Sequence, residues 1–151
     1  MCIRDSTYSV SGTITVGGSG LSGVTVDAGG GHTATTAADG AYTITGLVAG
    51  THTVTPTKAE YTFSPTSLSV TVGPNATGKD FTAALATYSI SGTITAGGAG
   101  LSGVTVDAGG GHTATTAADG TYTITGLVAG TYTVTPTKAE YAFNPSSTSV
   151  T

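Results

Sequence analysis

Histidine and aspartate residues in the loops of this sequence are the first candidates for chemistry. His32 and His112 each follow three glycines, and Asp27 stands five positions before His32. An imidazole and a carboxylate can both bind Zn²⁺, but a zinc site needs three or four protein ligands. Asp39 and Asp119 each precede a glycine, which is typical of tight turns, and Ca²⁺ would need six or more oxygen ligands from a cluster that the sequence lacks. We therefore expect no metal site and no cofactor.

Nucleophilic catalysis finds no support in the sequence either. No serine stands in a Gly-x-Ser-x-Gly elbow, and the glycine-rich loops lack the lysine of a phosphate-binding loop. His52 alternates with apolar neighbours, which indicates an amphipathic ring at a sheet rim rather than a base. The sequence predicts a protein that is not an enzyme and has no catalytic residues.

Rows of hydroxyl groups are the most distinctive polar feature. Threonines recur at every second position, which places them on one face of a strand. Three explanations fit such rows. They are the strand preference of threonine on a solvent face, O-glycosylation and, for a flat array, ice binding. An Asn-Ala-Thr sequon for N-glycosylation begins at residue 75. The possible glycosylation sites are Asn75, Thr43, Thr45, Thr53 and Thr55.

Composition limits the class of protein. Of the 151 residues, 24 are glycine and only 8% are charged, and the formal net charge is −4. No basic stripe exists that could neutralise nucleic-acid phosphates, and no apolar run approaches the ~20 residues of a membrane span. A surface covered by neutral hydroxyls is less soluble than a charged one, so the protein is either glycosylated or made to associate. The single cysteine, Cys2, allows no intrachain disulfide.

An internal repeat sets the architecture. Residues 7–71 align without a gap to residues 87–151 at an offset of 80, and 56 of these 65 positions are identical. We expect a β-sandwich repeat at 7–86 and a second at 87–151 that lacks its last strand. Residues 1–6 share nothing with the corresponding end of the repeat, and we interpret them as a non-native or artefactual leader. The repeat predicts that the native protein is a longer array.

Period-two alternation predicts seven short strands in each repeat, and hence an all-β, Greek-key sandwich of immunoglobulin-like or prealbumin-like form. The Asp39-Gly40 pair predicts a hairpin between the third and fourth strands. Residues 56–65 are predicted to be a crossover, in which Tyr61, Phe63, Tyr141 and Phe143 close the end of the sandwich. The seven strands are centred on residues 8–16, 24–26, 33–36, 42–45, 51–55, 68–72 and 78–82.

The segments YSISGTIT, GLSGVTV, TTAADGTYTITGLVAGTYTVTPTKAEY, YTFSP and GKDFTA resemble the carboxypeptidase-regulatory-like domain. That family is related to the transthyretin-like and collagen-adhesin B-type modules of bacterial surface proteins, and the resemblance covers all but residues 1–6. It implies a prealbumin-like sandwich in a secreted protein, without catalytic activity. Some collagen-adhesin B modules carry a Lys–Asn isopeptide bond, but residues 8–16 contain no lysine for one.

Together these features predict a structural repeat module of an extracellular or cell-surface microbial fibre, stalk or adhesin. Its partners would be neighbouring copies of itself, stacked end to end, and surface glycans. A free edge strand could pair with a strand of a neighbour, or a further copy could donate the strand that the second repeat lacks. The alternative is a carbohydrate-binding or spacer module of a secreted multidomain hydrolase, for which exposed aromatic side chains would be needed.

Overall fold

A computed structural model describes residues 6–151, which form two compact units. The first unit ends at Leu85 and the second comprises Ala86–Thr151. Residues 1–5, which include Cys2, lie outside the described residues. The interpretation of residues 1–6 as a leader concerns almost only these residues. Each unit is considered below by itself.

The first unit consists of nine strands, most of them short and separated by glycine-rich turns. Alternation of threonine with valine, isoleucine or tyrosine favours a strand with one face buried. In chain order they are β1 (Thr7–Val16), β2 (Ser19–Gly20), β3 (Thr25–Asp27), β4 (Thr33–Thr35), β5 (Ala41–Val48), β6 (Gly50–Thr57), β7 (Tyr61–Ser64), β8 (Leu68–Val72) and β9 (Phe81–Leu85).

These strands form two sheets that enclose one core. In the first sheet β1 pairs with β5 on one side and with β9 on the other, and β9 pairs with β7. The second sheet has the order β4-β3-β6-β8. Valine and isoleucine side chains of both sheets, among them Val10, Ile44, Val26 and Val54, are buried in a single apolar cluster. The prediction of an all-β sandwich is therefore confirmed, with β2 and β7 added to the seven strands expected.

Thr36 is a buried polar side chain of the first unit. Its hydroxyl donates to the carbonyl of Leu21 at 2.6 Å and accepts from the N–H of Val24 at 3.0 Å. Two backbone groups at the start of β3 are thereby satisfied where no strand partner reaches them. Among the described residues, no buried side-chain nitrogen or oxygen is left without a partner.

The turn at Asp39-Gly40 does not make the predicted hairpin. β4 pairs with β3 in one sheet, and β5 pairs with β1 in the other, so the turn carries the chain across the sandwich. The Asp39 carboxylate accepts from the N–H of Ala41 at 3.0 Å, and Gly40 has a φ of 79°. An Asp-Gly pair thus specifies a tight turn, but it does not specify which sheet receives the next strand.

The second unit repeats this pattern with fewer strands. They are β10 (Tyr88–Thr93), β11 (Thr95–Ala96), β12 (Ala99–Gly100), β13 (Thr105–Asp107), β14 (Thr113–Thr115), β15 (Thr121–Leu127), β16 (Tyr132–Thr137) and β17 (Thr148–Val150). β10 pairs with β15, and a second sheet has the order β14-β13-β16-β17. Within residues 86–151, β7 and β9 have no counterpart.

Candidate strand-binding groove

A segment that runs from Asn75 to Leu85 completes the first sheet of the first unit. The Asn75 side-chain oxygen accepts from the N–H of Ser9 at 3.0 Å. Ala76 donates to the carbonyl of Ser9 and accepts from the N–H of Ser11, both at 2.9 Å. This stretch lies beside β1 with parallel bridging at Val10. The chain is therefore held in register well before β9 begins.

The following residues bring the segment into contact with β1. The N–H of Lys79 donates to the carbonyl of Ser11 at 3.1 Å, and the Asp80 carboxylate accepts from the N–H of Thr13 at 2.7 Å. The Tyr42 hydroxyl donates to the carbonyl of Lys79 at 2.5 Å. Burial, together with the nearby Asp80 carboxylate, raises the pKa of Tyr42 to about 12. The phenol is thus held in its neutral, donating form.

Glycine at position 12 is what permits this close approach. A Cβ on Gly12 would lie 2.5 Å from the carbonyl carbon of Lys79 and closer still to its oxygen. Both atoms belong to the backbone, so no rotation of a side chain could relieve the overlap. Position 12 therefore requires glycine because there is no space for a Cβ. It does not require glycine for its backbone conformation, which is that of an ordinary strand.

β9 itself closes the core. Phe81 and Ala83 point inward and are 2% and 3% exposed, whereas Thr82 and Ala84 face outward. β9 is parallel to β1, with Ile14 opposite Phe81, and antiparallel to β7, with Tyr61 opposite Leu85. Full burial of a phenylalanine side chain stabilises a fold by roughly 1.5–3 kcal/mol. Phe81 of β9 therefore contributes much of the apolar stabilisation at this edge of the sheet.

The same edge is open in the second unit. A groove of about 630 Å³ lies along it, lined by Ile90, Ile94, Tyr122, Val134, Phe143 and Val150 among others. The strand corresponding to β1 is interrupted at Ile94, where β9 would pair, and residues 141–144 form no strand to correspond to β7. Both differences follow from one cause, because β1 and β7 each have β9 as a partner in the first unit.

Side chains that the first unit buries are partly exposed along this groove. Val10, Ile14, Tyr42 and Val70 are buried, whereas Ile90, Ile94, Tyr122 and Val150 are half-buried. A second cleft of about 390 Å³ continues the groove past Tyr88, Ile90, Leu127 and Val150. In the first unit Val72 is buried and Gly73 faces Ala49 and the Tyr8 ring at the corresponding end.

The Tyr122 ring lies against Gly92. A Cβ on Gly92 would meet the far end of the Tyr122 ring at 2.8–2.9 Å, and no backbone atom is among its nearest neighbours. In the first unit, the corresponding space beside Gly12 holds the Lys79 carbonyl group. The Tyr122 ring thus lies in the second unit where the Lys79 carbonyl group lies in the first.

The hydroxyl and sequon residues proposed for glycosylation lie on the first unit. Thr43 and Thr45 are exposed on β5, Thr53 is exposed on β6, and Thr55 on the same strand is half-buried. Asn75 is exposed, although its side-chain oxygen is held by the N–H of Ser9. These positions remain predictions, and the structure does not bring them into one site.

The loop aspartates take local roles. The carboxylates of Asp27 and Asp107 each accept a hydrogen bond of 2.7 Å from the N–H of the glycine two residues later. The Asp119 carboxylate accepts one of 3.0 Å from the N–H of Thr121. Hydrogen bonds from Thr121 lower the pKa of Asp119. His52 hydrogen-bonds the carbonyl of Val48 at 2.9 Å. Within residues 6–151 there is no group of three metal-ligating side chains.

The aromatic residues of the predicted crossover separate into two kinds. Tyr61, Phe63 and Phe143 are half-buried and pack against the cores of their units, as expected of residues that close the sandwich. Tyr141 is 46% exposed, with the Lys138 ammonium 5.4 Å from its ring centre. The predicted crossover in the first unit also contains β7, so that part of the prediction was wrong: its partner β9 is distant in sequence.

The residues that shape the groove were not among the sequence candidates. Neither Gly12 nor Tyr42 belongs to a recognisable motif. Both contact the backbone of Lys79, which lies 67 residues after Gly12 and 37 residues after Tyr42. One signal was available, since a glycine in the middle of an alternating strand often marks the close approach of another backbone.

Comparison with known proteins supports the fold. A family model described as "BOS complex subunit NOMO1-like, second beta sandwich domain" matches residues 85–151. Among solved structures, the Bacillus anthracis TIE protein superposes with a TM-score of 0.64 at 17% identity, over 96% of this chain and 31% of the other. The chain thus spans about a third of that protein. No curated protein matches the sequence.

A second solved structure is GBS52, the minor pilin of the Gram-positive pathogen Streptococcus agalactiae. It aligns over 95% of this chain and 89% of its own, at 14% identity and with a TM-score of 0.42. The family model describes a β-sandwich domain, in agreement with the predicted fold class. In the part of the chain that the structure describes, no helix has the length and hydropathy to cross a bilayer.

Proposed function

We propose that this chain is a run of structural repeat modules of an extracellular microbial fibre, stalk or adhesin, and that it acts by association with further copies of itself. The observation that carries the proposal is the character of the free sheet edges. Among the described residues of the first unit, β5, β7, β4 and β8 each pair with a strand on one side only. None of the four contains a charged residue.

Uncharged free edges are uncommon in proteins that remain monomeric. A free edge presents unpaired N–H and C=O groups that can pair with another chain, and monomers usually block it with lysine, proline or a bulge. The edge strand β8 has the sequence Leu-Ser-Val-Thr-Val, and β5 has Ala-Tyr-Thr-Ile-Thr-Gly-Leu-Val. β5 has a bulge against β1 between Leu47 and Ile44, whereas β8 pairs regularly with β6 and combines strand preference with no charge, which favours pairing between copies.

Two further observations support the proposal. The two units have nearly the same sequence, as expected when a module is used repeatedly for length rather than for a unique site. The family model that matches residues 85–151 describes the second β-sandwich domain of its protein, so that protein also has more than one such domain. An extracellular location follows from the proposed role.

Analytical ultracentrifugation and negative-stain electron microscopy of the purified chain test this function. We expect oligomers that grow with protein concentration. Thr71→Lys on edge strand β8 should weaken them, because a lysine at an edge must be desolvated in a paired sheet. Thr82→Lys adds the same charge at an exposed position of β9 that is paired with β1 on one side and β7 on the other, and is the matched control.

The proposal is overturned if the chain remains monomeric at millimolar concentration. Equal weakening by Thr71→Lys and Thr82→Lys would also contradict it, since the effect would then come from net charge and not from the edge.

A further inference from the structure

We propose that the edge strand β8 of the first unit pairs with β8 of a second copy of this chain, antiparallel and about a two-fold axis at Val70. This inference rests on the proposed function, because it names the edge, the orientation and the register through which copies associate. With the axis perpendicular to the sheet, β4-β3-β6-β8 of one copy continues into the same sheet of the other, and both cores lie on one side of it.

Of the four free edges, β8 is the best suited to this pairing. It pairs with β6 at five consecutive positions without a bulge, from Leu68 opposite Val54 to Val72 opposite Gly50. β4 has three residues and β7 has four, and the pairing of β5 with β1 contains a bulge. A bulge twists an edge away from a partner, whereas a regular strand keeps its outward N–H and C=O groups in line for one.

The charge around β8 also fits a second copy of the same strand. Two-fold pairing brings each side chain close to the corresponding part of its own copy, so a charged residue would meet a like charge and weaken the pair. No charged residue stands between Glu60 and Lys79, which leaves β8 and both of its flanks neutral. The edge is therefore compatible with itself.

The alternation of side chains along β8 determines the register. Val70 and Val72 are buried and Leu68 is half-buried against the core, whereas Ser69 and Thr71 are exposed on the outer face. An axis between two residues would place inward side chains opposite outward ones, while an axis at a residue keeps inward opposite inward. Only the axis at Val70 lets all five residues of the strand take part.

This register forms contacts on both faces of the joined sheet. On the inner face, the exposed part of Leu68 is covered by Val72 of the other copy. On the outer face, Thr71 lies opposite Ser69 of the other copy and extends a row in which the Thr51 and Thr71 hydroxyls are already 3.1 Å apart. Hydroxyl pairs across strands stabilise a sheet. Because the interface is small, the association is weak and reversible.

Disulfide trapping in the whole chain tests the register, with Cys2→Ser in every variant so that only the introduced thiol reacts. Ser69→Cys and Thr71→Cys are made as separate chains, one of them ¹⁵N-labelled, and mixed in a glutathione redox buffer. Residues directly opposite have Cα atoms about 4.5–5.5 Å apart, which a disulfide spans. Identical residues would lie on a diagonal, about 7–8 Å apart.

We expect the mixture to form the mixed disulfide roughly fivefold or more faster than either chain alone forms a disulfide with itself, because a separation beyond about 7 Å is not bridged without backbone movement. Mass spectrometry identifies the mixed product by its label. Both cysteines replace exposed residues, and a dispersed ¹H–¹⁵N spectrum verifies the fold of each variant.

Thr82→Cys is the matched control. It places a thiol at an exposed position of β9, which has β1 on one side and β7 on the other, so no second copy can pair there. Mixed with either β8 variant, it should form disulfides only at the slow rate of random encounter.

The inference is overturned if the mixture of Ser69→Cys and Thr71→Cys reacts no faster than each chain alone, or no faster than mixtures with Thr82→Cys. Its failure is distinguishable from failure of the proposed function. Oligomers of the parent chain without a selective mixed disulfide would retain self-association and reject this pairing. A selective mixed disulfide from a chain that sediments as a monomer would retain the pairing and reject the fibre.

Discussion

Substitution of Gly12 by alanine tests whether the segment from Asn75 to Asp80 is held against β1 as described. The added Cβ would lie 2.5 Å from the carbonyl carbon of Lys79, inside van der Waals contact. The atoms that this Cβ would meet, the carbonyl carbon and oxygen of Lys79, belong to the backbone, so the segment must move away from β1. The three hydrogen bonds closest to the overlap, from Tyr42, Lys79 and Thr13, would then be lost or lengthened.

The magnitude follows from those bonds. A neutral hydrogen bond contributes about 0.5–1.5 kcal/mol net, and one to a charged group about 1.5–3 kcal/mol, less where it is exposed like that of Asp80. Alanine in a strand offsets about 0.5–1 kcal/mol of this through its smaller conformational entropy in the unfolded chain. We expect Gly12→Ala to lower the free energy of unfolding of the first unit by about 2–4 kcal/mol.

Urea titration followed by ¹H–¹⁵N spectra measures each unit separately. A domain of this size is stable by roughly 4–12 kcal/mol, so the loss is measurable without complete unfolding. Gly92→Ala is the matched control in the second unit. There the Cβ meets only the end of a tyrosine ring, and we expect a change of about 1 kcal/mol or less.

Equal losses in the two units would refute the account of Gly12, because the substitution would then act through strand preference alone. An unchanged first unit in Gly12→Ala would show that the Lys79 backbone is not held at this distance.

Two further predictions follow from buried groups. Thr36→Val leaves two buried backbone groups without a partner and should cost about 2–4 kcal/mol in urea unfolding, whereas exposed Thr35→Val should change stability by about 0.5 kcal/mol or less. Burial and the Asp80 carboxylate raise the pKa of Tyr42 to about 12. The folded state therefore holds this proton more tightly than the unfolded chain, and its stabilising effect, complete below pH 10, is lost as pH rises towards 12. Unfolding measurements across that range should show the decline, and Tyr42→Phe should reduce it; an equal decline in Tyr42→Phe would contradict the assignment.

The sandwich could be predicted because its signals are local. Alternation of apolar and hydroxyl side chains marked β1, β5, β6 and β8, and the inward position of Phe81 was correct although β9 begins later than expected. The internal repeat is likewise visible in the sequence alone. These inferences need only the period of a strand and an alignment of the sequence with itself.

The pairing of strands could not be predicted, because it depends on residues far apart in sequence. β9 lies parallel to β1 across 67 positions, and β7 is a strand only because β9 is beside it. The sheet that receives β5 after the Asp39-Gly40 turn is likewise decided by burial of Tyr42 and Ile44 and not by the turn. The requirement for glycine at position 12 emerges only from these long-range contacts.

Extension of the chain tests the central claim most directly. The sequence of residues 72–85 is added after Thr151, and the free energy of unfolding of the second unit is measured by urea titration followed by NMR. The account predicts an increase of about 3 kcal/mol or more, from burial of one phenylalanine and one valine. An unchanged second unit with a disordered extension would contradict it.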